Sequence, residues 1–250
     1  MTALVKYENH FDGKTTFVFL HNGKHIIING CQTFSASNME SVFEQFDVPD
    51  SMQNDVRQAI NSVDDEVTYD DLKLILSIYP MYLEFIDNQT SELCMVAVQN
   101  NSWSLEYVKD QTHELCLAAV QNDGRALMFV KDQTPDLCIA AVKEYGLALW
   151  YVKEQTPEIC LAAVRQFATA IQLVKEQTPE ICMEAVKNDS RAIKFIKAQT
   201  PEICLAAVQK DGEALEFVKE QTPEICMAAV ANEPLALQFV KDKSMVAQIA

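Results

Sequence analysis

Residues 200–222 read TPEICLAAVQKDGEALEFVKEQT, and the same phrase returns along most of the chain. Thr recurs every 22 residues, at Thr68, Thr90, Thr112, Thr134, Thr156, Thr178, Thr200 and Thr222. Gln precedes each Thr from Gln89 to Gln221, and Cys follows four residues later at Cys94, Cys116, Cys138, Cys160, Cys182, Cys204 and Cys226. A period this strict marks a repeat array. Each phrase reads as two short helices. Thr suits the N-cap because its hydroxyl accepts from a free backbone N–H of the first turn. Pro suits the next position, where no N–H is needed. The acid after it favours the positive end of the helix dipole. Leu or Ile, Cys, Ala and Val recur three, four, seven and eight residues after Thr, which is one helical face. In the second half Ala, Leu or Ile, an aromatic and Val or Ile recur at fourteen, fifteen, seventeen and eighteen. Gly124, Gly146 and Gly212, replaced by Ser102, Ala168 and Ser190 in other repeats, are expected to mark the turn between the helices.

A helix pair this short cannot bury its apolar face alone, so its neighbours must stack. The expected fold is mainly α: an α-solenoid of about eight helix-turn-helix repeats over residues 68–243. Thr68 opens a degenerate first repeat, with Leu72 in the Cys place and Lys73 in an apolar one. Residues 244–250 are expected to form a C-terminal cap or tail. Residues 1–67 do not repeat. Three β-branched and aromatic runs (2–7, 15–20, 25–29) are separated by Asp12-Gly13 and Asn22-Gly23, both strong hairpin signals. Ser37-Asn-Met-Glu40 is a capping box. A small N-terminal α+β module is therefore expected, with a three-stranded meander and helices over about 37–46 and 51–60.

The pattern AAVxxxGxALxxV, as in Ala118-Ala119-Val120, Gly124-Arg125-Ala126-Leu127 and Val130, resembles a short α-helical repeat family found in bacterial, phage and large-virus proteins. The resemblance covers 68–243. It implies a helical-repeat fold and, at most, a binding role, because the family carries no established chemistry.

Charge narrows the function. Lys and Arg number 20 against 36 Asp and Glu, a net charge of −16 in 250 residues. Such a chain has no general attraction to nucleic acid or anionic membrane. No apolar run approaches the roughly 18–20 residues of a membrane span. The first residues, MTALVKYENHFDGK, lack the apolar core of a signal peptide. A soluble cytoplasmic protein is expected.

The Cys ladder invites a redox or metal reading, but equivalent positions in stacked helices lie about 9–10 Å apart. A disulfide needs Cα atoms within about 7 Å, and zinc needs ligands converging at about 2.3 Å. The seven thiols read as small buried apolar groups. A zinc set of His10, His21, His25 and Cys31 is the one metal alternative. It has no recognised spacing, and strand surface is the favoured reading. No nucleophile elbow, phosphate-cradling loop or paired-carboxylate motif occurs. No enzyme and no cofactor are expected.

Two function classes remain. The first is a scaffold or inhibitor that binds a partner protein through the solenoid surface. Ten to thirteen and sixteen residues after Thr, Trp103, Met128, Tyr145, Leu147, Trp150 and Phe167 stand where other repeats hold Arg125, Asp189, Arg191, Lys194, Asp211, Glu213 and Glu216. Exposed aromatics are enriched in interface hot spots, so these six are the candidate contact residues. The second class is an acidic nucleic-acid mimic that occupies a DNA- or RNA-binding protein, in the manner of viral counter-defence. Its repeats carry about one net charge per roughly 10 Å, against one per about 1.7 Å in duplex DNA. The expected partner is another protein, with a second copy of the chain as the alternative, and neither nucleic acid nor membrane.

Overall fold

The computed structural model describes the backbone of 3–8, 15–21, 24–29 and 32–36 and, from 69 to 246, all residues except 79 and 87. The chain divides into two units, Met1–Asp87 and Asn88–Ala250.

In the first unit, β1 (Ala3–Glu8), β2 (Thr15–His21), β3 (Lys24–Asn29) and β4 (Gln32–Ala36) pair antiparallel in chain order. Val5 lies opposite Val18, and Val18 opposite Ile27. The sequence suggests three strands. The fourth, Gln-Thr-Phe-Ser-Ala, has one large apolar residue and so lacks the alternation that flags a half-buried strand. Helix α1 (Tyr69–Ile78) and the 3₁₀ helix η1 (Pro80–Phe85) form the first helix pair. Ile75, Leu76 and Leu83 are buried there. The helices expected at 37–46 and 51–60 lie outside the described residues.

The second unit is mainly helical and consists of helix pairs packed consecutively. Its α-helices are α2 (Ser91–Asn100), α3 (His113–Asn122), α4 (Pro135–Glu144), α5 (Pro157–Gln166), α6 (Pro179–Asn188), α7 (Pro201–Lys210) and α8 (Pro223–Asn232). In all but one, the Thr before the helix accepts the N–H three residues on, at 3.3–3.4 Å. Thr134 instead donates its hydroxyl to Asp136. Each such cap contributes about 1 kcal/mol. The residues at three, four, seven and eight after Thr are the buried face, as in Leu115, Cys116, Ala119 and Val120 of α3.

The second helix of each pair is a six-residue 3₁₀ helix rather than an α-helix: η2 (Ser102–Tyr107), η3 (Gly124–Phe129), η4 (Gly146–Tyr151), η5 (Ala168–Leu173), η6 (Ser190–Phe195), η7 (Gly212–Phe217) and η8 (Pro234–Phe239). The hydrogen bonds at its ends span three residues, as in Ala126 N–H to Asp123 O (2.9 Å) and Val130 N–H to Leu127 O (3.2 Å). The cause is the spacing of the buried residues. Positions twelve, fifteen and eighteen after Thr (Gly124, Leu127, Val130) face the core, and a period of three lines up only on a helix with three residues per turn.

The small residues at position twelve do not form a turn. The break is made one residue earlier by an extended residue, Asp123 or its equivalents, with φ between −141° and −152°. Position twelve is instead the point of closest approach between steps. A methyl group on Gly124 would collide with the Ala141 carbonyl of the next pair, and one on Gly212 would lie 2.7 Å from the Ala229 carbonyl.

A polar seam joins the steps. Gln111 donates from Nε2 to the Phe129 carbonyl (2.9 Å) and accepts at Oε1 from the Lys131 N–H (3.0 Å). All seven Gln from Gln89 to Gln221 repeat this clamp on the following pair, at 2.9–3.1 Å and 2.8–3.0 Å. From Lys131 to Lys241, the Lys two residues before Gln or its equivalent folds its ammonium onto the carbonyl of the previous pair's Lys, at 2.7–3.4 Å. That carbonyl lies just beyond a helix end, where backbone acceptors lack intrahelical donors.

At the C-terminal end, Leu237 occupies the place where Leu105, Leu127, Leu149, Ile171, Ile193 and Leu215 are fully buried, yet it is 41% exposed. The short 3₁₀ helix η9 (Lys243–Val246) packs on α8. Residues 247–250 lie outside the described set.

Candidate functional site: an aromatic edge

The C-terminal ends of the α-helices and the outward side of the 3₁₀ helices form one edge of the stack. Four repeats, opened by Thr90, Thr112, Thr134 and Thr156, supply its unusual residues.

Position eleven is the N-cap of the 3₁₀ helix. Asn101, Asp123, Asp189 and Asp211 each accept the backbone N–H two residues on, at 2.9–3.0 Å. Tyr145 and Phe167 occupy the same place in adjacent repeats and make no such bond. Gln166 compensates in part by accepting the Gly146 N–H at 2.7 Å. Tyr145 and Phe167 are exposed, and Trp150 is 74% exposed, the most open of the large apolar side chains described. Among the described residues, the Trp150 indole has no hydrogen-bond or ring partner. Met128 is exposed one step before Trp150 in the row at position sixteen.

The other two candidates differ. Leu147 is half-buried, one turn below Trp150 on η4. Trp103 is held on three sides: its N–H donates to Asp123 (3.3 Å), its ring meets Phe129 edge-on at 5.6 Å, and the Arg125 guanidinium lies 5.8 Å above it. Burial alone would raise the Asp123 pKa, but bonds from the Arg125 side chain and backbone and from Trp103 hold it below the ordinary value. Trp103 is thus as exposed as Tyr145, at 39%, but its ring is engaged by neighbours within the chain. Met128, Tyr145, Trp150 and Phe167 are left open.

Across residues 121–194, positions nine to sixteen carry Arg125, Lys143, Arg165, Lys187, Arg191 and Lys194 against only Asp123, Glu144 and Asp189. Two of those acids are caps. The opposite edge, where the α-helices begin, carries exposed acids two residues after Thr (Glu114, Asp136, Glu158, Glu180) and a second row at twenty. Those acids are interleaved with the lysines at nineteen (Lys131, Lys153, Lys175 and Lys197), whose ammonium groups fold onto backbone carbonyls.

Two grooves of about 310 and 200 Å³ lie between Thr134 and Thr156 and between Thr156 and Thr178. They are floored by Cys138 and Cys160 and contain none of the aromatic-edge residues. All seven ladder thiols are free and buried. Burial pushes their pKa values up, so they stay protonated at neutral pH. Among the described residues, no group of three or more His, Cys, Asp or Glu could hold a metal ion. His10 and Cys31 lie outside those residues. His21 and His25 fall on β2 and β3, where the backbone alone is described. Also among the described residues, no helix is long and apolar enough to cross a membrane.

Comparison with protein-family models, curated proteins and solved structures gives no match. The geometry of the edge therefore carries the functional reading.

Proposed function

We propose that the chain is a non-enzymatic scaffold or inhibitor that binds a partner protein through the edge formed by Met128, Tyr145, Trp150 and Phe167. One observation carries the reading: Tyr145 and Phe167 replace the capping Asn or Asp in adjacent repeats, and neither ring is buried in exchange. Replacing such a cap costs about 0.5–2 kcal/mol. Exposed apolar clusters mark interaction sites, and aromatic anchors dominate interface energy. The setting is cytoplasmic, consistent with seven unpaired thiols. Residues 1–67 form an α+β module ahead of the repeats, and the likeness to short helical repeats of bacterial, phage and large-virus proteins fits a binding role.

The test is Trp150→Ala combined with Phe167→Ala. Helicity and melting stay near wild type, and affinity capture of the partner falls by roughly thirtyfold or more. Unchanged capture would remove the edge from the interface.

A second reading, an acidic mimic that occupies a nucleic-acid-binding protein, has one supporting observation. The repeat-end lysines fold onto backbone carbonyls, leaving the acids at two and twenty outermost on the opposite edge. Neutralising Asp136, Glu158 and Glu180 abolishes capture under that reading and leaves it intact under the first.

A further inference from the structure

Resting on the protein-binding reading above, we infer that the aromatic edge takes an extended segment of a partner protein that presents apolar side chains flanked by carboxylates. The argument is charge complementarity. The chain as a whole is strongly acidic, yet around Tyr145, Trp150 and Phe167 the six cations Arg125, Lys143, Arg165, Lys187, Arg191 and Lys194 meet an equal number of acids, Asp123, Glu144, Asp189, Glu184, Asp211 and Glu213. Three of the cations are already paired within the chain: Arg125 with Asp123, Arg165 with Glu184, and Arg191 with Glu213. Among the described residues, Lys143 and Lys187 make no ion pair. Both stand in the last turn of their α-helices, two residues before the extended cap position. Lys143 precedes Tyr145, and Lys187 lies two repeats further on, with Phe167 between them in the stack. The two lysines thus stand one step to either side of Phe167, with Tyr145 in the same repeat as Lys143.

Spacing selects an extended chain. Stacked helices stand about 9–10 Å apart, so two steps cover about 20 Å, or about six residues of a β-strand at roughly 3.3 Å each. In such a strand alternate side chains face one way. Carboxylates at its first and seventh residues therefore meet Lys143 and Lys187, while the third and fifth, about 7 and 13 Å along, stand on either side of Phe167. A single-stranded nucleic acid would also stack on aromatic rings. However, its phosphates recur far more often than one cation per step, and it would approach a chain carrying a net −16.

The probe is a blocked heptapeptide, Glu-Ser-Phe-Ser-Leu-Ser-Glu, titrated into the full-length Trp103→Phe variant so that Trp150 alone reports by fluorescence. The controls are the same peptide with both Glu replaced by Lys, and a twelve-residue oligothymidylate. The acidic peptide is expected to blue-shift Trp150 and to bind roughly tenfold tighter than the Lys peptide. That preference should collapse in Lys143→Gln with Lys187→Gln and shrink in 0.5 M salt. Equal or tighter binding of the Lys peptide, with affinity still lost in Phe167→Ala, overturns the acidic preference but leaves the protein-binding edge standing. Tighter binding of the oligonucleotide, or no binding by any probe, overturns both.

Discussion

A methyl group placed on Gly124 would stand 3.0 Å from Cβ of Tyr145, which belongs to the next repeat. The same relation links Gly146 to Phe167 at 2.9 Å and Gly212 to Glu233 at 2.7 Å. In the remaining steps the small residue carries a Cβ, and its neighbour is the shorter Asp: Ser102 with Asp123, Ala168 with Asp189, Ser190 with Asp211. Ser190 even donates to Asp211 at 3.2 Å. The larger residue at the cap position is thus matched, within this one chain, by glycine across the step.

Gly124→Ala is expected to cost about 1–3 kcal/mol by overpacking. In a Tyr145→Asp background the same change costs far less, because Asp accepts a Cβ-bearing neighbour elsewhere in the stack. A double-mutant cycle by urea unfolding measures the coupling. Additive effects would show that the glycine answers to the Ala141 carbonyl alone.

The glutamine clamp makes a sharper demand. Gln155→Ala removes the partners of the Leu173 carbonyl and the Lys175 N–H. Leaving the part-buried Leu173 carbonyl unpaired costs about 1–3 kcal/mol, and the exposed Lys175 N–H adds little because water replaces its partner. Gln209→Ala, on the exposed surface of α7, stays within about 0.5 kcal/mol. Equal effects at the two sites would discard the clamp as a source of stability.

The cysteine ladder predicts alkaline sensitivity. Burial raises every folded-state thiol pKa, whereas the unfolded thiol ionises near pH 8.5. Above that pH the unfolded state releases protons that the folded state keeps, so stability falls as pH rises, by on the order of 1.4 kcal/mol per thiol per pH unit. Urea midpoints taken from pH 7.5 to 10 should drop steeply, and more gently in Cys138→Ala with Cys160→Ala. An identical slope in that variant would mean the thiols do not carry the effect.

The repeat was readable because a helix start has its own chemistry: Thr, Pro and acid in succession, then apolar residues at α-helical spacing. The candidate edge was readable because Trp150 and Phe167 break a pattern that other repeats keep. The 3₁₀ half is hidden in the sequence, although Gly124, Leu127 and Val130 stand at intervals of three. The buried residue at fourteen and the half-buried one at seventeen blur that period into an α-like stripe. The clamp is not legible in the sequence because the amide's partners lie eighteen and twenty residues on, at the end of the following helix pair. Its signal was that Gln, an uncharged polar residue, recurs unchanged before every Thr after the first. The roles of Trp103 and Leu147 depend on what packs around them, which repeat comparison does not register.

Under the proposed function, Tyr145 and Phe167 serve a partner at the expense of the stack. The most direct measurement is paired melting and partner capture on Tyr145→Asp with Phe167→Asp. Asp restores the cap that Asp123, Asp189 and Asp211 make, offering an acceptor to the Leu147 and Thr169 N–H groups. The account predicts that the variant melts a few degrees higher, from about 1 kcal/mol per cap, while capture of the partner is lost. A variant that melts lower, or that captures its partner as well as the wild type, would contradict it.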